Sequence, residues 1–547
     1  MTTVRRSAAS EEQPQDLKYL PIGMQTFGDL VEGNFVYVDK TEQIHRLLRK
    51  SKGRYFLSRP RRFGKSLLIS TLEALFQGKQ KLFKNLWIGK EGRWDWSKQY
   101  PVIRLDLSRV ANENAKHLQQ GLCRAVRKMA ALHKVELGPS SVPSDLLEDL
   151  IERLAQDEQV VVLIDEYDKP LVDNLGEGSL ETAKANRAVL KKFYGALKDD
   201  KNLRFLFITG VSKFAQTSVF SELNNLDDLT LSERAAELVG YTDSELRENF
   251  AGHIDRLAQK LGQDRQEVLG WVQKWYNGYR FSEKDARVYN PFTTLLLFEN
   301  RNFSSYWYKT GTPTFLLHLI DRQPQQERNF VGYEVPDRRF QEAWDVERLE
   351  LLPLLVQTGY LTIEDCRRVE TNELLYRVHY PNLEVEQAFV EQLAEYRCAP
   401  KRTALVHALR EEDLKAYFEQ MEAIIEGIPY QMRQRDRGKG LWEGFYHTLF
   451  HLINDRAGLF PHSEVSSHHG RIDAVIHTKT RIYLFELKAD ATTPQEAVRQ
   501  IKDTKTYKPY LDEEKYNGKP ITLVGVSFKR FRSHGKIDWA AEELIPR

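Results

Sequence analysis

Three stretches of this sequence bring together side chains able to hold or cut a phosphate. In the first, Ser58-Arg-Pro-Arg-Arg-Phe-Gly-Lys-Ser66, an apolar run leads into an amphipathic one, the setting in which backbone N–H groups and a helix N-terminus hold phosphates. Arg62, Phe63, Gly64, Lys65, Ser66 and Leu67 are the candidate nucleotide contacts. Lys65 would reach the β- and γ-phosphates and Ser66 would hold Mg²⁺. Arg59 stands in place of the first glycine of GxxxxGK[ST], and an ordinary basic helix start reads the same way. The second stretch, Val160-Val-Val-Leu-Ile-Asp-Glu166, follows about 100 residues later. A buried strand there would bring Asp165 to the Mg²⁺ shell and let Glu166 polarise an attacking water; the alternative is that both carboxylates cap the next helix. A further apolar run, FLFITGVSKF, ends in Thr209 and Ser212, which suit a γ-phosphate sensor or a helix cap equally well.

The third stretch is Gly470-Arg-Ile-Asp473-Ala-Val-Ile followed by Ile482-Tyr-Leu-Phe-Glu486-Leu-Lys488. A hairpin centred between Lys479 and Thr480 makes Asp473 and Glu486 cross-strand partners, and period-two alternation puts Lys488 on their face. Two opposed carboxylates repel unless a divalent cation lies between them. Lys488 would then orient the attacking water and help neutralise the phosphate, a set sufficient for phosphodiester hydrolysis. The alternative is a surface hairpin whose acids pair with Arg471 and Lys488. Glu443, on an amphipathic helix, and Glu464, on the strand HSEVSS, are further carboxylates that could face the metal. Gln500, sharing a helix face with Tyr507, could touch the site or serve structure. His468 and His469 face opposite ways on a strand and lack a third ligand, so a solvated loop is expected there.

The elements that position these residues follow from periodicity. Tyr55 to Ser58, Val102 to Leu107, Val160 to Ile164 and Leu203 to Thr209 read as parallel strands separated by helices such as Leu67 to Phe76, the pattern of a RecA- or AAA-like α/β core. Residues 241–430 read as mostly helical lid and linker subdomains. Beyond the basic segment QMRQRDRGKG at 431–440, a helix at 441–453, paired short strands, a helix at 494–508 and a final strand from Ile521 to Phe528 suggest a separate α/β domain. The expected division is therefore a disordered polar tail at 1–17, a P-loop domain at 18–240, the helical region at 241–430 and a last domain at 431–547.

Length and composition bound the rest. At 547 residues the chain exceeds one hydrophobic core. Its 41% hydrophobic content can fill several, while a mean hydropathy of −0.54 and the lack of a long apolar run argue against a membrane partner. The cytoplasm is the expected location. Cys123, Cys366 and Cys398 are too scattered for a zinc site or a disulfide framework. The formal charge of +2 leaves any nucleic-acid footprint local.

Together with VYVDKT from residue 37, the segments RPRRFGKS, LIDEYDKP, GVSKF and LNNLDDLTL resemble the AAA-ATPase-like family. In that family the loop begins with Arg-Pro. The segments WYNGYRF, VYNPF and YPNLEV are similar to those that follow in the same proteins. The C-terminal set is similar to the PD-(D/E)xK nuclease superfamily, whose domain is restriction-endonuclease-like and α/β, and the two commonly occur together. The resemblance implies roles for Lys65, Ser66, Asp165 and Glu166, and for Asp473, Glu486 and Lys488. It implies ATP and Mg²⁺ as cofactors, with Mn²⁺ an option at the nuclease site, and DNA or RNA as partner. Defence against mobile DNA is an analogy from the family. Two other readings stay open: a nucleotide-dependent switch or scaffold that binds nucleic acid without cutting it, and a chain that holds ATP permanently. So does a homo-oligomer in which an arginine such as Arg234 acts on a neighbour's nucleotide.

Overall fold

The computed structural model describes residues 17–544 apart from 50–51, 177, 199–200, 214–218, 221–222, 224, 308–315, 318, 321–331, 342–349, 427, 429–438, 468–469, 490–491, 512–515, 517 and 529–535, and describes only the backbone at 439–443, 462–467 and 470–471. The expected tail thus lies outside the described residues except for Leu17, as do His468 and His469 and most of the basic segment at 431–440. The chain separates into two compact units, Met1–Leu316 with Val331–Glu386, and Leu317–Phe330 with Gln387–Arg547.

In the first unit, β1 (Gly53–Ser58), β2 (Val102–Asp106), β3 (Val160–Asp165), β4 (Leu203–Gly210) and the short β5 (Asp227–Asp228) form one sheet in the order 2-3-4-1-5. Every pairing is parallel. A parallel sheet buries both faces, and this explains why its central strands read as unbroken apolar runs. Ile103, Val162, Ile164 and Ile208 pack there against Leu118, Leu122 and Val126 of the helix Ala115–Leu132 and Leu146 and Leu150 of Pro143–Leu154. Because all strands run the same way, Ser58, Asp106, Asp165 and Gly210 end on one edge of the sheet.

Among the described residues the stretch after residue 240 is mostly helix, but it also contains strands that the sequence does not reveal. Besides the two-residue pair β6 (Tyr279–Arg280) and β7 (Arg287–Val288), the strands β8 (Tyr333–Pro336), β9 (Thr362–Arg368) and β10 (Leu374–His379) form an antiparallel sheet in the order 8-10-9. Its outward positions are crowded with charge, Arg367 pairing with Glu334, and the six residues of β10 are too few for a clear period. The helices Arg402–Arg410 and Leu414–Glu426, assigned to the linker from sequence, belong to the second unit. There Tyr417 lies against Phe485 and Phe418 stacks on Trp539.

One buried acid of the first unit gives a test of its packing. Glu384 is fully buried, and its Oε1 accepts the backbone N–H groups of Tyr306 and Trp307, each at 2.7 Å. Burial pushes its carboxyl from 4.5 up to about 8, against the pull of those two N–H donors. Between these values the folded chain keeps a proton that the unfolded chain has released, so stability falls as pH rises through that window, by roughly 5 kcal/mol at most. Glu384→Gln preserves the acceptor and removes the titration. Thermal melts near pH 5 and pH 8 are expected to show the wild type losing stability relative to this variant; parallel curves would rule the effect out.

In the second unit β11 (His462–Ser467), β12 (Gly470–His477), β13 (Ile482–Lys488), β14 (Ile521–Ser527) and β15 (Asp538–Leu544) follow one another across a sheet in which only β13 and β14 are parallel. Ile482, Leu484 and Leu523 meet Val498 and Ile501 of the helix Pro494–Asp503 on one face. Phe485 meets Phe450 of the helix Lys439–Ala457 on the other. Two expectations fail here. Ile521 to Phe528 is not the last strand, since the edge strand β15, with Glu542 and Glu543 outward, carries too little apolar alternation to be read; acids of this kind discourage edge pairing. The helix from 494 ends at Asp503 rather than 508, where Lys505 takes a left-handed conformation of φ +56°.

Candidate functional site

In the first unit the chain leaves β1 at Ser58 and enters the helix Lys65–Phe76 through Gly64, whose φ of +88° makes it an N-cap without a side-chain cap. No heavy atom lies within 4 Å of where a Cβ at Gly64 would be. The first-turn N–H groups have no acceptor within the helix. They adjoin a cavity of about 350 Å³ with Arg61, Arg62, Lys65, Ser66, Glu166 and Lys169 among its polar lining and Leu67, Tyr241, Phe292 and Leu295 among its apolar lining. This size and mixture suit a nucleotide.

Lys65 is buried; its ammonium donates to the carbonyls of Arg59 (3.0 Å) and Pro60 (3.1 Å) and lies 3.7 Å from Glu166 Oε1. Glu166 turns off the end of β3 at φ +53°, a conformation costing a non-glycine residue of order 1 kcal/mol. Burial raises its carboxyl above the usual range, Lys65 opposes this, and Asp168 and Asp165 reinforce it. Phe63, Asp165 and Thr209 lie behind the cavity wall. Phe63 packs edge-on against Tyr279 and Phe281. Thr209 donates its hydroxyl to Asp165 Oδ1 at 2.6 Å, and Ser212 donates to Asp168 Oδ2 at 2.8 Å, so both hydroxyls hold acids in place. Arg234 grips Asp227 with two nitrogens, at 3.0 and 2.7 Å.

Arg59, the residue in the glycine position, is 1% exposed. Its guanidinium donates to the carbonyls of Ser58, Thr230 and Ala235 at 2.7 to 2.8 Å and lies 4.1 Å over the ring of Phe281. Burial pushes its pKa down to about 9. It is a strut under the loop.

In the second unit the hairpin has the register the sequence predicts, with Ala474 opposite Phe485 and His477 opposite Ile482. The described ladder between β12 and β13 ends at Ala474, and the Asp473 carboxylate takes the next N–H, Oδ2 accepting from Leu487 at 2.8 Å. Glu486 is 4% exposed, and Lys488 Nζ donates to its Oε1 at 2.8 Å. Burial and then the charge of Asp473 raise the Glu486 carboxyl, while Lys488 opposes them. A buried acid beside a second acid is the electrostatic situation that a cation relieves. Among the described residues no three His, Cys, Asp or Glu side chains cluster closely enough to hold a cation. Asp473 and Glu486 would need a further oxygen, such as the Leu487 carbonyl or Glu443. Glu443 sits on the helix Lys439–Ala457 and Glu464 on β11, but the side chains of both lie outside the described set. Gln500 is exposed on its helix, and because that helix ends at Asp503 the face it was expected to share with Tyr507 does not exist; Tyr507 packs on the core instead.

Sequence reasoning missed several residues. His447 and His451, one turn apart on the helix Lys439–Ala457, hold β12 and β13: His447 Nε2 lies 3.2 Å from the Leu487 carbonyl and 3.5 Å from Asp473 Oδ2, and His451 Nε2 3.0 Å from the Asp473 carbonyl. Their i,i+4 spacing was the available signal. Arg61, Lys169, Tyr241 and Phe292 of the cavity are also absent from the sequence-based site set, although Arg61, Lys169 and Phe292 lie in the segments RPRRFGKS, LIDEYDKP and VYNPF.

A family profile described as a predicted AAA-ATPase (AAA-ATPase-like) matches residues 21–220, and one described as PD-(D/E)XK nuclease superfamily matches residues 441–534. An uncharacterized protein encoded in the vnfD 5′ region of Azotobacter chroococcum is 36% identical over 541 residues, covering 96% of this chain and 99% of its own. The Walker-type ATPase PABY2304 of Pyrococcus abyssi aligns in structure with a TM-score of 0.33 at 16% identity, over 68% of this chain and 98% of that one.

Proposed function

We propose, for a chain that belongs to the AAA-ATPase-like family and carries a PD-(D/E)XK nuclease-superfamily domain C-terminal to it, that it hydrolyses ATP and uses nucleotide state to regulate cleavage of DNA or RNA. The observation that carries the reading is that Asp473 of β12 lies beside Glu486 and Lys488 of the neighbouring β13, in a chain that also has a nucleotide-sized cavity at a P-loop.

In the first unit the N–H groups at Gly64 to Ser66 and the Lys65 ammonium would hold the phosphates, with Lys65 leaving the carbonyls it now caps. Ser66 and, through the residues behind the wall, Asp165 would hold Mg²⁺; Thr209 keeps Asp165 oriented. Glu166, its carboxyl raised by burial, would orient the attacking water and accept its proton. In the second unit Asp473 and Glu486 would hold Mg²⁺ or Mn²⁺, with Glu443 as a further ligand, and Gln500 would contact the substrate strand. Lys488 would orient the hydrolytic water and neutralise the scissile phosphate. A divalent cation at each site supplies charge neutralisation and a more acidic water.

A nuclease needs restraint, and the fused ATPase offers it, which suits defence against mobile elements. The cytoplasm holds both substrates, and among the described residues no helix is long and apolar enough to cross a membrane. The test is incubation of the purified chain with labelled single- and double-stranded DNA and RNA, with and without ATP, in Mg²⁺ or Mn²⁺. Cleavage of one polymer that responds to ATP is expected. Tight binding without cutting under every condition would point to a switch or scaffold instead.

A further inference from the structure

The loop Ser58–Ser66 contains three arginines with different surroundings. Arg59 is buried on three carbonyls, and Arg62 lies 4.8 Å over the ring of Phe292. Arg61 is half-buried in the cavity lining, and among the described residues its guanidinium has no hydrogen bond or ion pair. The other cations of that lining are engaged: Lys65 on the Arg59 and Pro60 carbonyls, and Lys169 with Asp173 at 2.5 Å. Arg234, the arginine first considered for service across a subunit boundary, is committed to Asp227. Arg61 is also close enough to Glu166 for its charge to favour the ionised carboxylate. A partly desolvated guanidinium without a partner is costly unless a ligand supplies the anion, and a planar donor fork matches a phosphate.

We propose that Arg61 contacts the γ-phosphate and stabilises the charge that develops in the transition state, so that each chain completes its own hydrolytic site without an arginine from a second copy. This rests on the reading of the first unit as an ATPase. In the step concerned, the water oxygen bonds to the γ-phosphorus as the bond from that phosphorus to the β–γ bridging oxygen breaks. The electron pair leaves on ADP, and the water's proton passes to Glu166. Arg61 meets the negative charge spread over the transferring group and the bridging oxygen.

The test is steady-state ATP hydrolysis by the full chain as wild type, Arg61→Ala and Arg61→Lys, together with an equimolar mixture of Arg61→Ala and Glu166→Gln. Binding of a fluorescent ATP analogue by each variant checks that the cavity is intact. Arg61→Ala is expected to lower kcat by about 10³-fold with KM little changed, Arg61→Lys to recover part of the loss, and the mixture to stay inactive. Should Arg61→Ala fail to fold, the fall of kcat in Arg61→Lys carries the same test. Three results would overturn the proposal: wild-type kcat in Arg61→Ala, a rise of KM with kcat kept, or turnover restored by mixing, which would place the arginine across an interface. A wild type that binds ATP without hydrolysing it removes the ATPase reading and this role with it. That outcome is distinct from failure of Arg61 alone, in which wild type and Arg61→Ala both turn over.

Discussion

Asp473→Ala is expected to abolish nucleic-acid cleavage and to leave ATP hydrolysis largely intact. The carboxylate holds the Leu487 N–H, faces His447 and adds its charge to the buried Glu486, so its removal takes away one cation ligand and the order of the strand end together. A divalent cation supplies several kcal/mol of transition-state stabilisation, and at about 1.4 kcal/mol per decade the loss is roughly 10³-fold or more. A gel assay of cleavage beside a phosphate-release assay on the same preparation decides it. Cutting at the wild-type rate by this variant would remove the assignment of the site. Loss of both activities would mean that the substitution damages the fold instead.

The second large effect belongs to the P-loop. Lys65→Ala is expected to weaken nucleotide binding and to lower ATP turnover by about 10² to 10³-fold, the usual scale for deleting a donor aimed at developing charge. Glu166→Gln keeps the shape of the side chain and should retain binding while losing turnover; hydrolysis at the wild-type rate would show that Glu166 does not activate the water. If nucleotide state gates cleavage, Lys65→Ala also changes the nuclease rate, by an amount typical of coupled sites, about 5 to 150-fold. Equal nuclease rates without nucleotide, with ATP and in Lys65→Ala would mean two domains that are tethered and nothing more.

Local pattern shows where these sites were legible from sequence. The strands β3 and β4 are largely apolar runs, and the hairpin around Asp473 and Glu486 is defined by symmetric alternation on both sides of a short turn, so register could be counted. What stayed hidden depends on contacts between distant segments. Nothing near Thr209 in sequence says that its hydroxyl serves Asp165, 44 positions away, nor that Ser212 serves Asp168. The cavity draws Tyr241 and Phe292 from beyond the sheet. His447 was missed for another reason: the i,i+4 spacing of His447 and His451 marks a shared helix face but does not say that this face meets the Leu487 carbonyl and the Asp473 carboxylate. The charged sheet β8-β10-β9 and the acidic edge β15 were missed because their outward residues mask a period of two.

Arg59 has a consequence for the empty protein. A glycine at the entrance to a phosphate loop leaves the backbone many conformations, which binding must then suppress. Here the entrance is tied through one side chain to Thr230, Ala235 and the Phe281 ring, so most of that freedom is surrendered at folding and little remains to be lost when ATP arrives. On the proposed ATPase reading, the backbone at this entrance would then change little on binding, while the Lys65 side chain moves. An entrance that moves little would contribute little to product release. The opening that frees ADP would have to come from the parts of the wall that are not so tied, such as the segment bearing Tyr241 or the helix Pro291–Asn300 with Phe292, and turnover would be set by how readily those parts yield.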